Sequence, residues 1–293
     1  MKLNYLTATL LVVGLAACTN EEESPVLNDT PIAARITANI GNEVMTRVSG
    51  SAWDTNDKIG ISYTSTDENK SGTNIAYHAT TTTGDFEPDG EPIYLEGDDT
   101  YTFTAYYPYS ETVNEENKSI SATTEAANQS SNIDFLYASG ATAIKANPSV
   151  NFTFKHCMSR LTLTFAKGDG LDDAAMSEYT LSGIKLSGTF DTTTGTATAT
   201  TEETASSLTM TATFGNTSSV FLFPQELSGI TVRITIGGET YSATLKLPDE
   251  ATALAAGKNY TYNITVTKVG LLIDKANITE WSESDGSEAS ATI

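Results

Sequence analysis

Residues 32–40 read Ile-Ala-Ala-Arg-Ile-Thr-Ala-Asn-Ile, a run in which apolar residues recur at every second position. The even-numbered positions are all apolar, namely Ile32, Ala34, Ile36, Ala38 and Ile40. Because successive side chains of a β-strand point to opposite faces, this period of two predicts a strand with one narrow apolar ridge.

The rest of the chain repeats this kind of pattern. Short runs of Thr, Ser, Val, Ile and Tyr are separated by Gly, Asn and Asp, which is typical of all-β proteins. Further strands are predicted at 59–63, 101–107, 150–165, 181–186, 207–214, 219–223, 231–236, 241–247, 260–266 and 271–278. Only 172–178 hints at a helical turn. We predict an all-β fold of two tandem Greek-key β-sandwich domains, which fits these strands better than a barrel.

The predicted strand at 150–165 contains a change of phase. Its apolar residues fall on even positions up to Phe154 and on odd positions from Leu161 onward. A shift of one residue within a strand indicates a bulge or bend, which we expect near 158–160. Residues 138–148, just before this run, have the composition of a linker. The predicted domains are therefore 32–147 and 148–293.

The N-terminus has the pattern of a secretory signal. Lys2 precedes an apolar run at 6–17 that is too short to span a membrane, and small residues lead up to Cys18. Leu-Ala-Ala-Cys at 15–18 resembles the bacterial lipobox, which implies a signal peptide at 1–17, cleavage between Ala17 and Cys18, and acylation of Cys18. Two or three acyl chains anchor a protein stably. The alternative is an ordinary signal peptide with a chance cysteine.

Charge and cysteine content narrow the class of protein. Residues 18–31 are polar and acidic, which predicts a flexible tether. The 37 acidic residues outnumber the 16 basic ones and give a net charge of −21, which argues against nucleic acid and anionic membrane surfaces as partners. With Cys18 acylated, Cys157 has no disulfide partner, and we interpret it as a small buried hydrophobe.

No catalytic or metal-binding pattern stands out, and we predict no enzyme activity, no cofactor and no metal. Asp54, Asn56 and Asp57 resemble part of a calcium loop, but the glycine and the terminal glutamate of such a loop are missing, so a turn is the better interpretation. His78 and His156 have no nucleophile motif beside them. A cluster of aromatic residues could stack on sugars, although strand cores use tyrosine routinely: Tyr101, Phe103, Tyr106, Tyr107 and Tyr109.

Several spaced motifs together resemble the fimbrillin family, the type V pilus subunits of Bacteroides-like bacteria. They are the lipobox at Cys18, the strand at 32–40 followed by Thr46-Arg47, and the segments at 53–60, 154–161, 221–225, 254–260 and 270–281. The resemblance spans nearly the whole chain and implies transthyretin-like sandwich domains. It also implies a lipoprotein precursor at the outer membrane and cell surface, and an extracellular fimbrium after processing.

In this family a trypsin-like, arginine-specific protease removes the first strand, and a C-terminal segment of the next subunit fills the groove. The resemblance places the cut after Arg47, with 32–46 as the displaced strand; Arg35 is the competitor, and a solvated loop cation is the alternative for Arg47. The donor segment would be 270–293, with Leu271, Ile273, Ile278 and Trp281, or else an ordinary last strand. The acidic tail after Trp281 would fill an apolar groove poorly, which leaves stalk, tip and anchor roles open.

The sequence thus favours a fimbrial subunit or tip adhesin, assembled by donor-strand exchange. Its expected partners are other fimbrial subunits arranged head to tail, the protease, a membrane through the lipid anchor, and a ligand on a host or bacterial surface. The alternative is a monomeric outer-surface lipoprotein that binds glycan.

Overall fold

The computed structural model describes residues 30–41, 53–171, 175–201, 204–227, 229–247, 251–274 and 276–281. In these ranges the regular structure is β, apart from two 3-10 turns at Ala126–Asn128 and Ser131–Ile133, which confirms the all-β prediction. Of the helical turn expected at 172–178, the described part holds no helix, and Glu178 begins a strand. The Greek-key connection of the strands stays a prediction.

Ten strands precede residue 157. They are β1 (Ile32–Ala33), β2 (Arg35–Ile40), β3 (Lys58–Ser65), β4 (Ser71–Ala79), β5 (Asp85–Pro88), β6 (Tyr94–Leu95), β7 (Thr100–Tyr107), β8 (Ser119–Thr123), β9 (Leu136–Ile144) and β10 (Ser149–His156). We call this part the first lobe.

Thirteen strands follow and form the second lobe. They are β11 (Ser159–Lys167), β12 (Glu178–Ile184), β13 (Ser187–Asp191), β14 (Thr196–Ala199), β15 (Ser206–Thr211), β16 (Thr217–Leu222), β17 (Gln225–Glu226), β18 (Ile230–Ile236), β19 (Glu239–Leu245), β20 (Ala253–Leu254), β21 (Lys258–Thr267), β22 (Gly270–Ile273) and β23 (Asn277–Glu280).

Seven strands of the first lobe form a closed hydrogen-bonded ring in the order β10-β2-β5-β4-β3-β7-β9. The sequence favoured a sandwich over a barrel here, and β10 accounts for the difference. This strand pairs in parallel with β2 over six residue pairs and antiparallel with β9 over two, so it joins the two ends of the sheet. The ring surrounds a core to which β2 and β10 contribute alternate residues.

The second lobe contains two larger sheets. One has the order β16-β11-β21-β22, with β23 also paired to β21, and the other has the order β15-β12-β18-β19. One continuous core of buried residues draws on both sheets, including Leu163 of β11 and Val232 of β18. Alternating apolar residues of both sheets meet in this core, as the sandwich prediction requires.

The border between the lobes lies at Cys157 and Met158. The expectation of a single bent strand at 150–165 is wrong, because β10 ends at His156 and β11 begins at Ser159 in a different sheet. The apolar phase changes because each strand faces its own core. By hydrogen bonding, β10 belongs to the first lobe, so the lobes divide after the predicted boundary at residue 147.

Candidate functional site

The N-terminal strand β2 is an integral part of the ring. Ala34, Ile36 and Ala38 are buried, Ile40 is half-buried, and Ile32, in β1, is 41% exposed. Beyond its pairing with β10, β2 pairs with β5 over only two residue pairs. Of the five alternating apolar residues seen in the sequence, the middle three, Ala34, Ile36 and Ala38, therefore face the core.

Hydrogen bonds outside the strand ladder also fix this segment. The Ala34 N–H donates to the Ile93 carbonyl at 2.8 Å, and the Ala38 N–H donates to the Gly84 carbonyl at the same distance. Gly84 has φ +90°, and a Cβ built there would lie 2.0 Å from the Ala38 carbonyl oxygen. The backbone of the 81–85 turn thus approaches β2 as closely as a glycine allows.

Trp53 lies beneath β2. Its Nε1–H donates to the Ala38 carbonyl at 2.9 Å, and the side chain is 1% exposed. The indole ring makes edge contacts with Phe86, Tyr107 and Phe154, at centroid distances of 5.2, 5.5 and 5.3 Å. Such edge-to-face pairs stabilise a core beyond simple burial, so Trp53 connects β2 to three other parts of the first lobe.

The predicted processing residues are placed as follows. Ala17, Cys18 and Arg47 lie outside the described residues. Arg35 lies within β2, where its backbone N–H donates to the Pro148 carbonyl at 2.8 Å while its side chain is exposed. A protease needs an extended and accessible backbone, so the structure protects Arg35 against cleavage as long as β2 stays paired.

The described part of the candidate donor segment, 270–274 and 276–281, is docked on the second lobe. β22 and β23 both pair antiparallel with β21, one after the other along its edge. Leu271, Ile273 and Ile278 are half-buried, and Trp281 is 6% exposed. The acidic tail after Trp281 lies outside the described residues.

Trp281 packs in a stack of side chains at the border between the lobes, which the sequence did not predict. Its ring lies parallel to the His156 ring, 4.0 Å away, and to the Phe221 ring, 5.3 Å away. The Arg160 guanidinium carbon is 5.8 Å from the indole centroid. No local sequence pattern predicts this contact, because its residues come from segments that are far apart in the chain.

Asp134 forms a buried pair with His156. The His156 Nδ1 is 2.9 Å from one Asp134 carboxylate oxygen and 3.0 Å from the other. Burial raises the pKa of Asp134, and the hydrogen bond and charge of His156 oppose that rise. Both side chains are buried, so the pair has the character of a structural element.

The aromatic cluster considered for sugar stacking is mostly core. Tyr101, Phe103, Tyr106 and Tyr107 are at most 5% exposed, and Tyr109 is half-buried. A sugar needs an accessible ring face, so four of these five rings cannot serve as a platform. Residues 54–57 form a turn, as predicted, in which the Asp57 carboxylate accepts from the Asp54 N–H.

Two features are absent from the residues that the structure describes. No group of three or more His, Cys, Asp or Glu side chains there could hold a metal ion. Within the same ranges, no helix has the length and apolar character that crossing a membrane requires.

Comparison with known proteins adds the family context. A model of the fimbrillin-like family matches residues 46–281. A candidate fimbrium subunit of Bacteroides uniformis, Fim1C, is 26% identical over 293 residues, which covers 96% of this chain and 95% of that protein. A crystal structure of a candidate cell adhesion protein from Bacteroides ovatus is 30% identical, with a TM-score of 0.72, and the match covers 87% of this chain and 100% of that one.

The tip fimbrial protein Mfa3 of Porphyromonas gingivalis shares the fold at 10% identity. Its structure, which carries a C-terminal truncation, has a TM-score of 0.54, and the match covers 85% of this chain and 100% of that one.

Proposed function

Because this chain belongs to the fimbrillin-like family, we propose that it is a fimbrial subunit or tip adhesin that is assembled by protease-triggered donor-strand exchange. A family of fimbrial and cell-adhesion proteins implies a location at the cell surface, and we propose further that the precursor is exported as a lipoprotein. Acylated Cys18 would anchor it in the outer membrane through the tether at 18–31.

The observation that carries this proposal is the position of β2 in the ring. Without β2, the backbone groups of β10 that face it would lose their partners, and the ring would open between β10 and β5. The apolar pockets under Ala34, Ile36 and Ala38 would meet water. Unpaired backbone groups and exposed core are both unfavourable, so the vacated groove would favour binding of another strand.

A strand from a second copy could fill this groove by strand addition. Backbone hydrogen bonds would supply affinity, and the alternating pockets would set the register. Each copy would accept at its N-terminal groove and donate with its segment 270–293, so the contact would be head to tail and would build an open filament.

The site of cleavage decides whether the groove can open. Arg35 is a poor site for the cut, because its backbone N–H is paired with the Pro148 carbonyl. We therefore propose Arg47 as the bond at which an arginine-specific protease releases 32–46.

The test treats purified precursor with an arginine-specific protease and compares Arg47→Gln with Arg35→Gln. We expect the wild type and Arg35→Gln to be cut once and then to form detergent-resistant oligomers as the concentration rises. Arg47→Gln should stay intact and monomeric. A cut product that loses residues 32–46 and remains monomeric at every concentration would contradict assembly by strand exchange.

A separate experiment tests the lipid anchor. Labelling of cells with a fatty-acid analogue should mark the wild type and should be lost in Cys18→Ala, because the sulfur is the acceptor of the diacylglycerol group. Labelling that persists in Cys18→Ala would remove the anchor from the proposal.

A further inference from the structure

The side chains that hold Trp281 form a distinct seat, which we define as His156, Arg160 and Phe221. Among the side chains that the structure describes, three buried polar atoms lack a hydrogen-bond partner, and all three lie in this stack: His156 Nε2, Arg160 Nε and Trp281 Nε1. A buried polar atom without a partner is unfavourable and calls for an explanation. The seat thus combines favourable ring stacking with three buried nitrogen atoms that lack hydrogen-bond partners, which is unfavourable.

The seat adds a buried contact directly after the last strand. β23 makes four residue pairs with β21, and none of its own four residues is buried. Trp281 follows directly, buries its indole, and donates its backbone N–H to the Gly257 carbonyl at 2.7 Å. A short edge strand is weakly held by itself, so the stacked tryptophan fixes the C-terminal end of β23.

The seat is also connected to the N-terminal strand. His156 is the last residue of β10, and β10 takes most of its pairing from β2. The other neighbour of β10 in the ring, β9, pairs with it only at Lys155 and His156. Loss of β2 would leave β10 an edge strand that keeps only these two residue pairs. One of the two is formed by His156, whose imidazole stacks on Trp281.

We propose that the Trp281 seat retains the C-terminal segment on its own subunit while β2 is in place, and that loss of β2 loosens the seat and frees the segment for exchange. This inference rests on the proposed function and adds regulation to it. The unpartnered nitrogens favour release, because they gain hydrogen bonds once the stack opens to water. In the uncut precursor, both β2 and the C-terminal segment are held on the same subunit. The C-terminal segment then cannot bind another subunit, so polymerisation would begin only after cleavage.

The first measurement follows hydrogen exchange of the β23 amides in the intact, uncut protein. Trp281→Ala removes the stack, and exchange at Asn277–Glu280 should rise at least tenfold. Trp281→Phe keeps an aromatic ring between His156 and Phe221 and is the matched control, with exchange close to that of the wild type. Unchanged exchange in Trp281→Ala would overturn the role of the seat.

The second measurement tests the coupling, again without protease or assembly. Ile36→Ala weakens β2, and Ile61→Ala makes a similar cavity in β3, elsewhere in the ring; both residues are at most 3% exposed. We expect faster β23 exchange in Ile36→Ala than in Ile61→Ala at equal loss of global stability. Equal exchange in the two variants would overturn the coupling. Because assembly plays no part in this readout, its failure is distinguishable from failure of the proposed function.

Discussion

Trp53 is the side chain that ties the N-terminal strand most directly to the first lobe. Its indole donates to the Ala38 carbonyl and touches rings from three other segments. A buried carbonyl that loses its donor costs about 1–3 kcal/mol, so this hydrogen bond alone is a substantial part of the hold on β2. The same contact would orient a strand that replaces β2, because the indole N–H could donate to the backbone carbonyl of that strand at the position of Ala38.

Cys157 lies at the border between the lobes and is 5% exposed. Burial raises the pKa of its thiol from about 9 to about 12, and the nearby Asp134 charge adds to the rise. Since the thiolate is the reactive form, labelling by iodoacetamide at pH 8 should be about a thousandfold slower than for an ordinary thiol. The rate should increase about tenfold for each pH unit while the protein stays folded.

The control for Cys157 is the same labelling in a denaturant, where the rate should return to that of a free cysteine. Rapid labelling of the folded protein at pH 8 would show that the border between the lobes opens readily.

Among the elements, β2 shows what the sequence could and could not predict. Its period of two was sufficient to place Ala34, Ile36 and Ala38 on one face, because alternation is a local property of the strand. Its parallel partner β10 lies more than a hundred residues away, and no local pattern encodes that pairing. For the same reason the sequence missed the ring closure and the contact of Trp281 with His156, both of which depend on distant segments.

Ala38 provides a sharp test of how tightly β2 is packed. Its side chain is 1% exposed and belongs to the core of the first lobe, so Ala38→Leu inserts three carbons into filled space. Overpacking of this kind should lower the free energy of unfolding by about 1–3 kcal/mol in urea titrations. Asn39→Leu, on the exposed face of the same strand, is the control and should change it by less than about 0.5 kcal/mol. Equal effects would mean that β2 does not pack as described.

At the scale of the whole molecule, the two lobes are joined by more than the chain crossing at Cys157. β8 precedes the border and pairs with β13, which follows it. A third core, shared by both lobes, fills the space between them: Tyr106, Val113, Ile133, Phe135, Cys157, Met158, Phe190, Ala197, Ala199, Phe223 and Trp281. Residues from Pro31 onward accordingly form one compact unit.

This shared core predicts cooperative unfolding. Differential scanning calorimetry of the uncut protein should show one transition, with a calorimetric enthalpy equal to the van't Hoff enthalpy. Separate chains of the two lobes should fail to fold, because each would expose its half of the third core. Two well-separated transitions would show instead that the lobes are thermodynamically independent.

If subunits assemble by the proposed strand exchange, the close approach of Gly84 to Ala38 has a consequence for mixed populations of subunits. Gly84→Ala would place a methyl group in the path of β2 and of any strand that replaces it, at a φ of +90° that alanine tolerates poorly. If the body of the molecule still folds, this variant could give a strand but could not receive one. Added in small amounts to wild-type subunits, it should act as a chain stopper and shorten fibres in electron micrographs in proportion to its share.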